Sequence, residues 1–271
     1  MIRATIGIFS QGGVAIDADA QAFFDRVTTA GGSLSTTEQE AVNTLVVQMK
    51  SDGIWTKMKA IYPMVGGGNG TLAQNQAACE QNLKSSSFTG SFTAGWTFAS
   101  TGVTPNGTSA YMDTNCNDNN FSNNSMSFGC YSRINENSAY DLGIYNTTLA
   151  AGSFIALRNS NQFRTIVQAG PPALIVSSSD SRGFYQTSKN GSTTVLAYRN
   201  SSEIINATKT TENATNTTFY LGALNNGGTP AFGYTGREYC FAYIGDGLSA
   251  TDMTTYYIRV QAFQTTLSRQ V

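Results

Sequence analysis

The run "DTNCNDNN" sets Asp113, Asn115, Asn117 and Asp118 at the spacing of a ligand loop, and clustered oxygen donors are what calcium takes. Against an EF-type loop, Asp118 stands where glycine is needed and no glutamate closes the run. Asx-rich runs are also ordinary turns. A solvated loop is therefore the simpler expectation, calcium is the weaker one, and no other cofactor is indicated.

Acid–base chemistry has little to draw on. The chain has no histidine, which removes the commonest general base, the Ser-His-Asp arrangement and most transition-metal sites. Glycoside hydrolysis needs two carboxylates flanking the scissile bond. The acids between Asp113 and Asp246 are scattered, with no spacing that sets two on one strand face, and no catalytic residue is expected. Cys79, Cys116, Cys130 and Cys240 form no CxxC pair, so zinc and redox motifs are disfavoured. Reduced, partly buried thiols are expected, with Cys116 and Cys130 the pair to form if one does.

Recognition chemistry is better supplied. Sugar-binding faces stack rings on Trp or Tyr and hold hydroxyls with Asn and Asp. Trp96, Tyr111, Tyr140, Tyr145, Tyr185 and Tyr198 are the aromatic candidates, although a core position is the commoner fate for any one of them. Trp96, Tyr111, Asp113, Asn115 and Tyr198 form the candidate ligand-binding set.

The elements that must position these residues follow from composition. In 271 residues the net charge is -1 and charged residues make up 12%, which leaves no basic footprint for nucleic acid. Abundant Gly, Ser, Thr and Asn suit short strands and turns. No apolar run is long enough to insert in a membrane. The start "MIRATIGIFSQGG" lacks a secretory h-region, so folding in a cytosol is expected. The ten N-x-S/T sequons accordingly read as turn chemistry.

Residues 1–16 read as an extended arm. Ala20, Phe23, Phe24 and Val27 mark a helix face. Ser35 with Glu38 opens a second helix, which carries Val42, Leu45, Val46 and Met49. Ile54, Trp55, Met58, Ile61 and Tyr62 suggest a third, stopped by Pro63. Residues 17–65 thus form a helical anchoring unit. "VGGGNGT" reads as a flexible connector, and residues 66–271 follow as a domain of short alternating strands at sandwich spacing. In "REYCFAYIGDGLSATDMTTYY", Tyr239, Phe241 and Tyr243 should face one way and Cys240, Ala242 and Ile244 the other. Ser249 then caps a helix with Asp252 at its third position.

Tyr198, Asn200, Leu221-Gly222, Leu248-Ser249 and Asp252 resemble the C-terminal half of a concanavalin A-like jelly roll of the laminin-G type. The resemblance implies a mainly β antiparallel sandwich with a helix packed on it. Glycosidases of that superfamily carry Glu-x-Asp-x-x-Glu on one strand, a run absent here. A hairpin at Asn200-Ser201 lacks the glycine that a two-residue turn prefers, so a longer or strained turn is expected.

The stretches "IWTKMKAIYPMVGG" and "GWTFASTGVTPNGTSAYMDT" and the ending "RVQAFQTTLSRQV" are similar to uncharacterised virion or tail-region proteins of tailed bacteriophages, over about residues 17–271. That likeness implies a non-enzymatic virion protein assembled in the host cytoplasm. It would join other virion proteins through residues 1–65, form a homo-oligomer, and bind host-surface glycan through the jelly roll. The alternatives are a purely structural decoration or connector protein and, more remotely, a glycan-degrading enzyme.

Overall fold

Short alternating segments become strands, and the capped periodic ones become helices. The computed structural model describes residues 15–212 and 215–271; the arm over residues 1–16 therefore lies almost wholly outside the described residues. The first strands in the chain are β1 (Met58–Tyr62), β2 (Ser91–Phe92), β3 (Trp96–Ala99), β4 (Gly102–Pro105), β5 (Met112–Asn117) and β6 (Ser125–Ser132). Next come β7 (Leu142–Asn146), β8 (Ala151–Asn159), β9 (Gln162–Ala169), β10 (Leu174–Ser177), β11 (Gly183–Asn190) and β12 (Thr194–Arg199). The last are β13 (Ser202–Thr208), β14 (Thr218–Leu221), β15 (Leu224–Asn226), β16 (Thr229–Phe232) and β17 (Tyr239–Gly245). The helices are α1 (Ala18–Thr29), α2 (Thr36–Ser51), α3 (Leu72–Cys79) and α4 (Ala250–Thr266).

Two sheets stack face to face, as the jelly-roll expectation requires. The first runs β13-β12-β11-β6-β17-β4-β3, with β1 beside β17. The second runs β10-β9-β8-β7-β14-β5-β2 and carries the β15–β16 hairpin. Pairing is antiparallel except where β15 runs parallel to β7. Phe128, Phe163, Tyr185, Phe219 and Ile244 belong to the core between the sheets. A second apolar layer lies on the outer side of the first sheet, where Tyr131, Phe184, Phe241 and Tyr243 meet Phe23, Val46, Tyr256 and Phe263 of α1, α2 and α4.

Capping accounts for the helix starts. Ser35 and Glu38 form a reciprocal box at α2, and Ser249 and Asp252 do so at α4. The expected third helix is corrected. Only Trp55–Lys57 make a single 3-10 turn, and the chain then extends as β1 against Ala242–Gly245. A short apolar run reads equally as helix or strand; here Ala60 and Tyr62 enter the inter-sheet core while Ile61 joins the helix layer. Residues 17–65 and 66–271 accordingly share one core. The "VGGGNGT" connector is also tied down, because Gly66 N and Asn69 Nδ2 both donate to the Glu38 carboxylate.

Strand β17 is central, with β6 on one side and β1 and β4 on the other. Its facing differs from the expectation at two residues, Tyr239 and Cys240, which exchange sides. A bulge between Tyr239 and Phe241 turns Tyr239 into the inter-sheet core with Ala242 and Ile244, while Cys240, Phe241 and Tyr243 face the helices. Of the two expectations for the β12–β13 turn, the longer loop is not formed and the strained two-residue turn is. Arg199 pairs with Ser202 across two residues, and Asn200 adopts φ 56°, a conformation Asn tolerates better than most residues. All four cysteines are free and buried, Cys116 and Cys130 included.

Candidate functional site

The two outer faces of the sandwich differ. Three helices cover the first sheet, whereas the second sheet presents two adjoining hollows to solvent. Residues alternate across a strand, so Leu142 and Ile144 of β7 point into the core and Tyr145 points out. Phe154 of β8 and Ile166 of β9 emerge on the same outer face and pack with Leu224 of β15 in a small cluster of their own.

The first hollow has a volume of about 270 Å³ and is lined by Tyr140, Tyr145, Phe154 and Ile166, with Pro171, Ala173, Leu224 and Thr147 around them. Tyr140 meets Phe154 edge-on, ring centroids 5.0 Å apart. Glycine makes this packing possible, since a Cβ on Gly143, opposite Phe154 in the ladder, would fall 2.3 Å from the Phe154 Cβ. The Pro171–Ala173 wall is tied to Lys209, whose Nζ donates to Pro172 O at 2.8 Å.

Tyr140 is positioned by a buried polar cluster one residue on. The Asp141 carboxylate has no exposed surface. It accepts from Arg237 Nη1 at 2.6 Å, Tyr239 Oη at 2.6 Å and Leu157 N at 2.7 Å. Burial alone would lower the proton affinity of Arg237, but the Asp141 carboxylate raises it above the ordinary value. Arg237 Nη2 is further held by the carbonyls of Glu136 and Arg158. This is the interior end of the site, a fully desolvated pair kept by its hydrogen bonds, and solvent does not reach it.

The second hollow, about 290 Å³, is polar: Asn117, Thr215, Asn216, Thr217 and Thr218 line it with Tyr220, Asn225, Gly227 and Gly228. Tyr111 stacks on Tyr220 at 4.2 Å between centroids with planes 16° apart. Burial first, then the Asp113 carboxylate and Tyr111, raises the Tyr220 phenol well above its ordinary range, so it stays neutral and keeps its donor.

The structure brings some of the sequence candidates together and separates others. Tyr111, Asp113 and Asn115 sit on the outer face at β5, beside the second hollow. Tyr140 and Tyr145 line the first. Trp96 does not join them. It is 7% exposed, edge-on to Phe92 at 4.9 Å, and completes the inter-sheet core. Tyr198 lies on the opposite sheet, buried among the residues under the helices, with its hydroxyl donating to Glu203. Tyr185 is core, stacked on Phe163.

The "DTNCNDNN" run is corrected from loop to strand: it forms β5 and a 3-10 turn over Asp118–Asn120. Its four oxygen donors do not converge. The β5 ladder is irregular between Asp113 and Asn117, where Asn115 adopts φ 54°; Asn115 N donates to Asp113 Oδ1 and Asn119 N to Asn117 Oδ1, so these oxygens serve local turns. Asp118 turns inward, 4% exposed, and accepts from Thr215 N, Thr215 Oγ1 and Thr217 N. Its carboxylate thus holds the wall of the second hollow. Among the described residues no group of three or more His, Cys, Asp or Glu could hold a metal ion. Phe154, Ile166, Leu224, Tyr220 and Asn225 were not legible as site residues. Each is an ordinary strand residue until the pairing decides which face it takes.

No family model and no curated protein matches the chain. Among solved structures it is similar to a mutant of Trypanosoma rangeli sialidase displaying trans-sialidase activity, at 10% identity and TM-score 0.50 over 83% of this chain and 39% of that one. It is also similar to the botulinum neurotoxin serotype D binding domain (12% identity, TM-score 0.47, 76% of this chain and 52% of that). A third is domain 4 of AbnA, a GH43 extracellular arabinanase from Geobacillus stearothermophilus, in complex with arabinotriose (17%, 0.43, 74% and 98%). At these identities the likeness concerns the β-sandwich fold alone. The chain spans about two-fifths of the sialidase and half of the toxin domain.

Proposed function

We propose that this protein is a non-enzymatic component of a tailed-phage virion that binds host-surface glycan through the outer face of its second sheet. The observation that carries the reading is the asymmetry of the sandwich: helices cover one outer face, while the other offers an aromatic hollow beside an Asn/Thr-rich one. Aromatic faces stack sugar rings and amide side chains pair with hydroxyls. Among the described residues neither lining contains a carboxylate, which favours binding over glycoside hydrolysis, where two are needed. The sequence likeness to tail-region proteins supports the virion setting. Val47 of α2 is 39% exposed and Ile258 of α4 is 56% exposed, which supports contact with neighbouring virion proteins through the helix layer.

Single shallow sites of this kind bind at about millimolar Kd, so attachment depends on many copies. The test is labelling of bacterial cells by the full chain, displayed on a multivalent carrier, with and without purified surface polysaccharide. Saturable labelling that the polysaccharide abolishes is the expected result. Cells left unlabelled by the well-folded multivalent protein, across hosts with different polysaccharides, would overturn the glycan reading and leave a purely architectural one.

A further inference from the structure

The two hollows differ in chemistry, and that difference specifies a ligand. Around the first, the polar side-chain groups are one threonine hydroxyl and two phenols; every other lining side chain is apolar. The side chains of Ile166, Pro171, Ala173 and Leu224 can accept no hydrogen bond. A sugar ring stacked there by its C–H face would turn equatorial hydroxyls toward these walls, and a buried hydroxyl without a partner is penalised. A methyl group in the same place is favoured. The volume, about 270 Å³, lies just under the range of small-molecule pockets, so it suits one ring and not a peptide helix. No Asp, Glu, Lys or Arg lines either hollow. The nearby Lys209 donates to the Pro172 carbonyl.

The second hollow is complementary. Its lining is mainly Asn and Thr, with the Tyr220–Tyr111 stack at its side. Strand β15 joins the two: Leu224 lines the first hollow and Asn225 the second. We propose that the first hollow is a subsite for a neutral sugar residue bearing a methyl group, either a 6-deoxy or an N-acetyl sugar, and that the next residue of the same glycan occupies the second hollow. This inference rests on the glycan-binding reading above and makes it specific. Tyr145 supplies the stacking surface, and Pro171 and Ala173, the more accessible apolar walls, receive the methyl group over a floor of nearly buried Phe154, Ile166 and Leu224.

Saturation-transfer NMR and competition titration on the full chain would test this with two matched pairs, L-fucose against L-galactose and N-acetylglucosamine against glucose. The methyl-bearing member of at least one pair should bind roughly tenfold more tightly, the usual effect of one group of this size in an apolar pocket. Its methyl protons should show the strongest saturation. Ala173→Gln, which fills the hollow without removing packing, should abolish the preference. Tyr145→Ala, at a partly buried ring, should do the same through loss of stacking. Circular dichroism confirms that each variant is folded.

Equal binding of both members of each pair, still lost in Ala173→Gln, would overturn the methyl specificity and leave glycan binding standing. Binding that neither variant changes would remove the subsite from this hollow. If none of the four sugars receives saturation at tens of millimolar, the inference fails, and the cell-labelling experiment separately decides the broader reading.

Discussion

Lys189 of β11 has no exposed surface, and among the described residues its Nζ donates to Gln168 O at 3.2 Å and Thr211 Oγ1 at 3.1 Å. Desolvation pushes its ammonium down to about 8; Lys209 adds to the shift and Glu212 opposes it. An unfolded lysine titrates near 10.4. Between those two values the unfolded chain holds more protons than the folded one, so this group's contribution to stability grows as pH rises through that window. The unfolding midpoint in denaturant, followed from about pH 7.5 to about pH 9.5, should therefore climb in the parent protein relative to Lys189→Met. Parallel profiles would show that the buried amine carries no such penalty. Sequence could not expose this residue, because a lysine on an alternating strand normally reads as solvated. Its burial comes from Gln168 and Thr211, which reach it from elsewhere in the chain.

At the scale of elements, the start of α4 shows how one carboxylate both caps a helix and ties it to a distant segment. Asp252 Oδ2 accepts from Ser249 N at 2.8 Å, Ser249 Oγ at 2.6 Å and Lys57 Nζ at 2.7 Å. Burial raises its pKa, but Lys57 and Ser249 outweigh that and hold it below the usual carboxylate range. Ser249→Ala removes the cap acceptor for Asp252 N and should lower the unfolding free energy by about 1 kcal/mol. Urea titration would show this as a shifted midpoint with an unchanged slope; an unshifted midpoint would mean that packing alone sets the end of the helix. Helices of this kind were legible because cap and period lie within a few residues. Strands β1 and β5 were not. The first is an apolar run too short to have a period, and the second is an Asx-rich run that becomes a strand by pairing with β14 and β2.

Across the whole molecule, the four thiols lie in the two apolar layers, Cys116 and Cys130 between the sheets, Cys240 under the helices and Cys79 at their junction with α3. Burial pushes Cys79, Cys116 and Cys240 up to about 12 and Cys130 well above its ordinary value. Thiolate is the reactive form. A water-soluble aromatic disulfide at about pH 8 should therefore release no chromophore from the native protein, since thiols in this state are almost fully protonated and shielded. Four equivalents per chain should follow once denaturant is added. Rapid reaction before unfolding would contradict the continuity of the two layers. That continuity also explains why residues 17–65 cannot be treated apart from the sandwich: β1 pairs with β17, and α1 and α2 share their apolar layer with α4.

What the sequence by itself determined is what depends on near neighbours or on composition. The β-rich character, the capped helices at Ser35 and Ser249, and the lack of a histidine base all follow from residue types at short spacing. Only the tertiary structure decided which side of each strand would remain open. Tyr145 and Tyr243 are both strand tyrosines with similar surroundings in the chain, yet Tyr145 lines a solvent-facing hollow and Tyr243 lies beneath Tyr256 of α4 at 4.8 Å between rings. Alternation assigns a strand two faces. Which of them meets a helix layer, a second sheet or water depends on segments outside the strand itself, and the binding chemistry proposed for this protein lies on the face that none of the described helices covers.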